Sequence, residues 1–194
     1  MNRHHTNDEE LIALYMAGNE ACMEMIINRY KTKVFTAIQL VVNDRYIAED
    51  IFQDTFLRVI HTLQKGQYEE NGKFLPWVIR IARNLAMDYF RKTKRMPTIS
   101  STESDDIFAN MNFVQKNSED ATISQQNKHA LRDLIKQLPV EQKEVLILRH
   151  YGDLSFKEIA DLTNCSLNTA LGRMRYALIN LKKMIEEKAA FLQG

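Results

Sequence analysis

From Glu20 to Val42, apolar residues recur at intervals of three and four: Met23, Ile26, Ile27, Tyr30, Val34, Ile38 and Val41. At 3.6 residues per turn this spacing lines them along one face, so the stretch reads as a long amphipathic helix that needs a partner to cover it. The pattern returns over residues 47–63 through Ile51, Phe52, Thr55, Phe56, Val59, Ile60 and Leu63. It returns again from Phe74 to Arg95 through Phe74, Trp77, Val78, Ile81, Leu85 and Tyr89. A shorter stripe, Leu11, Ile12, Leu14 and Tyr15, ends at Gly18-Asn19, and Asn43-Asp44 separates the next two helices. Pro76 is compatible only with the first turn of its helix, where the missing N–H costs nothing. The chain has only 6 glycines and 3 prolines, too few for the turns of an all-β fold. The fold class is therefore all-α.

Residues 96–117 break this order. They hold Pro97, a Ser/Thr cluster between Thr98 and Ser104, the acids Glu103, Asp105 and Asp106, and no sustained periodicity. A stretch of about twenty residues without periodicity is too long for an ordinary loop inside one compact domain. The chain thus divides into two small helical domains, residues 1–95 and 118–194, joined by a flexible linker over 96–117. In the second, Leu131, Leu134, Ile135 and Leu138 mark one helix, Pro139 stops it, and Val140 to His150 forms the next.

Several function classes are excluded. No apolar run approaches the ~20 residues of a membrane span. The first ten residues are polar and lack a signal-peptide core, so the expected location is the cytoplasm, without membrane insertion. Cys22 and Cys165 lie far apart with no CxxC spacing and read as reduced thiols. His4 and His5 have no further ligands nearby, so no metal site is expected. HExxH, GxSxG, P-loop and paired acid–histidine patterns are all missing, and the chain is expected to be neither an enzyme nor a cofactor carrier.

Net charge is only +1, but its distribution is uneven. Residues 73–95 carry Lys73, Arg80, Arg83, Arg91, Lys92, Lys94 and Arg95 against the single acid Asp88, seven minus one, or +6. Such a segment is a candidate phosphate-binding surface. A second signal lies near the C-terminal end. Ser155 with Glu158 three residues on fits a capping box, Ile159, Ala160 and Leu162 make a short helix, and Thr163-Asn164-Cys165 makes a tight turn. Ser166 then caps a second helix reaching about Lys183, with Leu167, Ala170, Met174, Ala177, Leu178 and Leu181 as its apolar stripe. Asn168, Thr169, Arg173, Arg175 and Tyr176 fall on its other face. Short helix, turn and longer basic helix is the helix-turn-helix plan.

Three stretches in order make the resemblance specific. Ala48-Glu49-Asp50-Ile51-Phe52-Gln53-Asp54-Thr55-Phe56-Leu57-Arg58-Val59 resembles region 2.2 of extracytoplasmic-function sigma factors, the group 4 members of the sigma-70 family. Phe74-Leu75-Pro76-Trp77-Val78-Ile79-Arg80-Ile81-Ala82-Arg83-Asn84 resembles regions 2.3 and 2.4, and the helix-turn-helix half resembles region 4. The resemblance implies a subunit that binds core RNA polymerase and directs promoter recognition, melting and initiation. It implies docking of Asp50, Gln53, Asp54 and Leu57 on the β′ clamp coiled coil, and contact of the second domain with the β flap. It assigns −10 DNA to Arg58, Tyr68, Arg80, Arg83, Asn84, Met87 and Arg91, with Tyr68, Arg58 and Asn84 beside a flipped base. It assigns −35 DNA to Arg149, Ser166, Asn168, Thr169, Leu171, Gly172, Arg173, Arg175 and Tyr176. It also implies an anti-sigma factor covering the polymerase-facing surfaces.

The residues suit these roles. Asp50, Gln53, Asp54 and Leu57 share one helix face, an acidic patch fit for a basic partner helix. Asn can bond a base edge while Arg holds phosphate. Leu171 and Gly172 depart from the family, which often has a basic residue and a Ser there. Leu171 could at most touch a thymine methyl, which shifts weight toward shape and phosphate contacts. A helix-turn-helix regulator that does not carry polymerase would explain the second half but not residues 48–59. A helical adaptor would leave the +6 segment unused.

Overall fold

The computed structural model describes residues 7–69, 71–95 and 119–193, and the expected linker lies outside them. Among the described residues the chain forms eight α-helices. In the first half these are α1 (Asp8–Met16), α2 (Glu20–Val42), α3 (Arg45–Gln64) and α4 (Phe74–Arg95). The second half contributes α5 (Glu119–Lys136), α6 (Val140–His150), α7 (Phe156–Leu162) and α8 (Leu167–Gln193).

Local chemistry sets the boundaries. Asn43 ends α2 in the left-handed conformation at φ 55°, which Asn tolerates better than most residues. Asp44 then caps α3, its carboxylate accepting from the Ile47 backbone N–H at 3.0 Å. This cap starts α3 at Arg45, two residues before the apolar stripe does. The expected end of α8 near Lys183 needs correction, because the helix continues to Gln193. No Gly or Pro intervenes before Gly194, so nothing local stops it.

In the first half, α2 is covered by α1, α3 and α4. Ile26, Val34 and Leu40 of α2 meet Val59 and Leu63 of α3 and Phe74 and Val78 of α4, all fully buried. Thr55 is buried as well, and its hydroxyl donates to the Ile51 carbonyl at 2.6 Å, which removes the cost of an unpaired polar atom. Asp8 ties α1 to α2 by accepting from both Arg29 and Tyr30. Burial first, then the Asp8 charge, pushes the Tyr30 phenol well above its ordinary range. In the second half, α8 packs across α6 and α7, with Val145, Leu148, Ile159, Ala170 and Ala177 at the contact. Asn180 of α8 also bonds Gln142 of α6 at 2.8 Å.

The two helical groups meet directly. α2 packs against α5 and α6, and the buried residues of both groups form one continuous cluster. One close approach is at Gly152, in the turn after α6. A Cβ there would lie 2.8 Å from the Leu148 carbonyl oxygen, 2.7 Å from Leu154 and 2.9 Å from Ile79 of α4. A carbonyl in a helix cannot move aside cheaply, so this position excludes every larger residue. Gly152→Ala should destabilise the protein by about 1–3 kcal/mol through overpacking. Urea unfolding at matched helicity checks this, and an unchanged midpoint would show that the turn yields.

Candidate nucleic-acid interface

Helix α3 buries Ile51, Thr55, Phe56 and Val59 and turns the opposite side outward. Asp50, Gln53 and Asp54 are exposed there, and Leu57 is 62% exposed. Tyr46, 67% exposed, stands four residues before Asp50 on the same face. The sequence reading omitted it, although the i, i+4, i+7, i+8, i+11 spacing of residues 46, 50, 53, 54 and 57 would have included it. Arg58, next to Leu57 in the chain, is exposed as well.

Helix α4 separates its side chains by angle. Phe74, Val78 and Leu85 point into the first half. Arg80, Asn84, Met87 and Arg91 recur at three and four, so they share one side, with Lys73 two turns before Arg80, just ahead of the helix. Asn84 is exposed and Met87 half-buried, while Arg91 pairs with Asp88 of its own helix at 3.0 Å. Arg80 and Arg83 reach the second half: Arg80 meets Glu158 at 3.3 Å and Arg83 meets Glu144 at 2.8 Å. Tyr68 is half-buried, its ring 4.4 Å from Trp77 and edge-on to Phe74 at 5.9 Å. An aromatic stacked this way offers a base only what its intramolecular neighbours leave open.

The helix-turn-helix is built as its residue types require. Ser155 and Glu158 form a full capping box at the start of α7. Asn164 takes φ 51° in the turn, and the Cys165 N–H closes it on the Ala160 carbonyl at 3.0 Å. Ser166 caps α8, accepting from the Thr169 N–H at 3.0 Å while the two hydroxyls bond at 2.8 Å. Those two side chains are thus partly engaged in the helix start. Asn168, Leu171, Arg175 and Tyr176 are exposed, Gly172 and Arg173 half-exposed. Arg149 donates to the Leu154 carbonyl at 2.9 Å and lies over the Phe156 ring, bracing the turn between α6 and α7. The expected apolar stripe of α8 needs one correction: Ala170, Ala177 and Leu181 are buried, but Leu167 and Leu178 are about half exposed. With Leu171 and Ile185 they form an apolar flank beside the buried line.

No group of three or more His, Cys, Asp and Glu among the described residues could hold a metal ion, and no described helix is long and apolar enough to cross a membrane.

Known proteins match this architecture. The family model for Sigma-70 region 2 matches residues 26–96, and that for Sigma-70, region 4 matches residues 128–176. The ECF RNA polymerase sigma factor SigM of Bacillus subtilis is 30% identical over 149 residues, 74% of this chain and 83% of that one. The RNA polymerase sigma-H factor of Pseudomonas aeruginosa is 25% identical over 183 residues, covering 92% and 94%. Among solved structures, the sigma factor RpoE from Bartonella quintana, in complex with the anti-sigma factor NepR, superposes with a TM-score of 0.59. That alignment spans 84% of this chain and 96% of the other at 16% identity, which speaks to the fold.

Glu158 joins the capping box to the ion pairs with α4, and it titrates accordingly. Burial alone would raise its carboxyl. Hydrogen bonds from the Ser155 hydroxyl and N–H, then the Lys73 ammonium, outweigh this and hold it at about 2, below its ordinary 4.5. A depressed carboxylate stabilises the fold fully above its unfolded value and loses that contribution as pH falls toward the folded one. Stability from Glu158 should therefore fade between pH 4.5 and about 2. Glu158→Gln keeps an acceptor for Ser155 but cannot titrate. Its urea midpoint should fall less steeply than wild type across that window, and parallel curves would assign the acid sensitivity to other carboxylates.

Proposed function

The chain belongs to the sigma-70 family, among its extracytoplasmic-function members, and we propose a division of labour between its two halves on that basis. It binds core RNA polymerase and directs promoter recognition, melting and transcription initiation. In our reading the first domain, residues 1–95, docks on the β′ clamp coiled coil through Asp50, Gln53, Asp54 and Leu57. Its helix α4 takes the −10 DNA with Arg80, Arg83, Asn84, Met87 and Arg91, and Tyr68 and Arg58 hold a flipped base. The second domain, residues 118–194, takes −35 DNA on α8 and contacts the β flap, and residues 96–117 tether the two. The single observation behind this reading is that both family regions match in order, the first over α2 to α4 and the second over the helix-turn-helix.

Catalysis belongs to the polymerase, and the protein works beside it in the cytoplasm as a binding subunit. An anti-sigma factor is a further partner by analogy: the RpoE from Bartonella quintana was solved in complex with one. Co-purification with core polymerase, followed by run-off transcription, tests the whole reading. A protein that fails both is not acting as a sigma factor.

Two sets of variants divide the roles. Replacing Asp50, Gln53 and Asp54 together with Ala should weaken core binding by about tenfold, since a small cluster carries most of an interface's energy. Competition binding at unchanged helicity measures it, and wild-type affinity would reject the clamp assignment.

On DNA, Arg175→Ala should weaken duplex binding and reduce its salt dependence, because a phosphate contact is lost. Asn84→Ala should leave duplex binding nearly normal and reduce strand opening, with partial rescue on a template already mismatched at −10, since an unstacked base exposes an edge that duplex hides. Filter binding at matched salt and permanganate footprinting read the two steps. Equal loss of duplex binding in both variants, with no rescue, would make α4 a general phosphate-binding surface.

A further inference from the structure

Glycine is the poorest helix former after proline, because it has the most backbone freedom to lose and no side chain to pack. A glycine inside a helix therefore needs a reason. Among the five described glycines, three take positive φ, which other residues rarely adopt, and Gly152 has no room for a Cβ. Gly172 has neither reason. It lies in the second turn of α8, outside the positive-φ region, and a Cβ built on it would meet nothing within 4 Å. The fold would accept alanine there and gain from it, so this glycine answers to something outside the chain.

Its surroundings on the helix surface narrow what that is. Three and four residues to either side stand Asn168, Thr169, Arg175 and Tyr176, all exposed and all within the region 4 match. Gly172 leaves a patch of bare backbone among them, where a bulky group can come closer than beside any other residue. Next to the patch Leu171 is 42% exposed, and Leu167, one turn earlier, is 47% exposed. Leucine has no hydrogen bond to offer a base edge. The one apolar group that the major groove presents is the C5-methyl of thymine.

We propose, resting on the assignment of α8 to −35 DNA, that Leu171 and Gly172 form an apolar reading site for thymine. The bare backbone at Gly172 lets α8 seat deeper in the major groove, and Leu171 then packs on the C5-methyl of a thymine. Cytosine lacks that methyl, and adenine and guanine present polar edges, so the site selects one base at one or two positions. The contact is uncharged. It adds selectivity without adding salt dependence, whereas a phosphate contact from Arg175 does the reverse.

The test uses holoenzyme assembled from the full chain and core RNA polymerase. Duplexes are selected on it from a randomised pool, and the winning duplex is remade with uracil for thymine at one position at a time, which removes only the methyl. Wild type should lose roughly fourfold in affinity at one or two thymines of the −35 segment, the worth of one buried methyl. Leu171→Ala should bind the thymine and uracil duplexes alike. That variant meets the same DNA, so an effect of uracil on duplex shape would persist in it. Gly172→Ala should raise the urea midpoint of the free chain and keep wild-type affinity for core polymerase. It should weaken duplex binding by roughly tenfold, through overpacking of the contact, at an unchanged salt slope.

Wild-type duplex binding by Gly172→Ala would overturn the proposal. So would a uracil penalty that survives Leu171→Ala, or one that is absent at every thymine. A urea midpoint that does not rise would give Gly172 a role inside the fold, and weaker core binding would make it a polymerase contact; either result overturns the reading site. If neither Asn168→Ala nor Arg175→Ala weakens binding of the selected duplex, the −35 assignment of α8 falls and the reading site with it. If they weaken it while Gly172→Ala and uracil have no effect, only the reading site falls.

Discussion

The Arg83–Glu144 ion pair is the contact on which the arrangement of the two halves depends. Both side chains are about four-fifths removed from solvent, at 19% and 18% exposure. A guanidinium cannot be covered this far without a counter-charge, because the desolvation cost of a lone cation exceeds what surrounding apolar contacts return. Ala82 and Ala86 bring α4 close to its neighbours, and Arg83 lies between them on the side facing α6. Once α6 covers that side, an acid must sit opposite, and Glu144 supplies it. The more exposed pairs, Lys73 and Arg80 with Glu158 and Lys33 with Asp153, form a rim around this point. Two carboxylates of the other half, Glu144 and Glu158, thus offset part of the +6 of residues 73–95.

Much of the fold was legible in the sequence because local signals agreed with the periodic one. Asn43-Asp44 combines a residue that tolerates left-handed backbone with a helix-capping acid, so both the end of α2 and the start of α3 were marked. Pro76 fixed the first turn of α4. Where a single signal stood alone, the reading slipped. α8 runs on past Lys183 because residues 185–190 are exposed, so no packing imposes a stripe there, and no Gly or Pro stands between Lys183 and Gly194 to end it. Leu167 and Leu178 looked like core because they are large. The close packing of α8 is instead set by Ala170 and Ala177, whose lack of bulk lets α6 and α7 approach and leaves the leucines on the flank.

The candidate site divides the same way. Which residues share a face follows from 3.6 residues per turn, so Asp50, Gln53, Asp54 and Leu57 could be grouped from sequence, and Tyr46 could have joined them. What each side chain touches does not follow. Arg83 and Glu144 are 61 positions apart and Lys73 and Glu158 are 85 apart. Periodicity names a face but carries no information about a partner that distant. Arg149 is a similar case: a basic residue near the helix-turn-helix reads as a phosphate clamp, yet its guanidinium braces the turn through the Leu154 carbonyl and the Phe156 ring. Tyr68 likewise lies tilted against Trp77 and edge-on to Phe74, so it is part of an assembled aromatic cluster rather than a bare ring.

Closing two domains through charge as well as through apolar contact has a physical consequence. An apolar seam is separated only at a cost proportional to its area, and nothing in solution replaces the lost contact except another apolar surface. A carboxylate on a guanidinium can be replaced by any oxyanion of similar geometry, and each exposed pair is worth only roughly 0–1 kcal/mol. The cations themselves stay on a rigid helix anchored by Phe74, Val78 and Leu85, so exchange requires the acids to leave but not the basic surface to rebuild. The better covered Arg83–Glu144 pair is the exception. Its partners are largely out of water, so removing one of them while the halves stay packed would leave the other charge covered and unpaired. A rim of weak, partly exposed pairs around one better covered pair therefore leaves the rim open to exchange with solvent ions while the central pair keeps its partners.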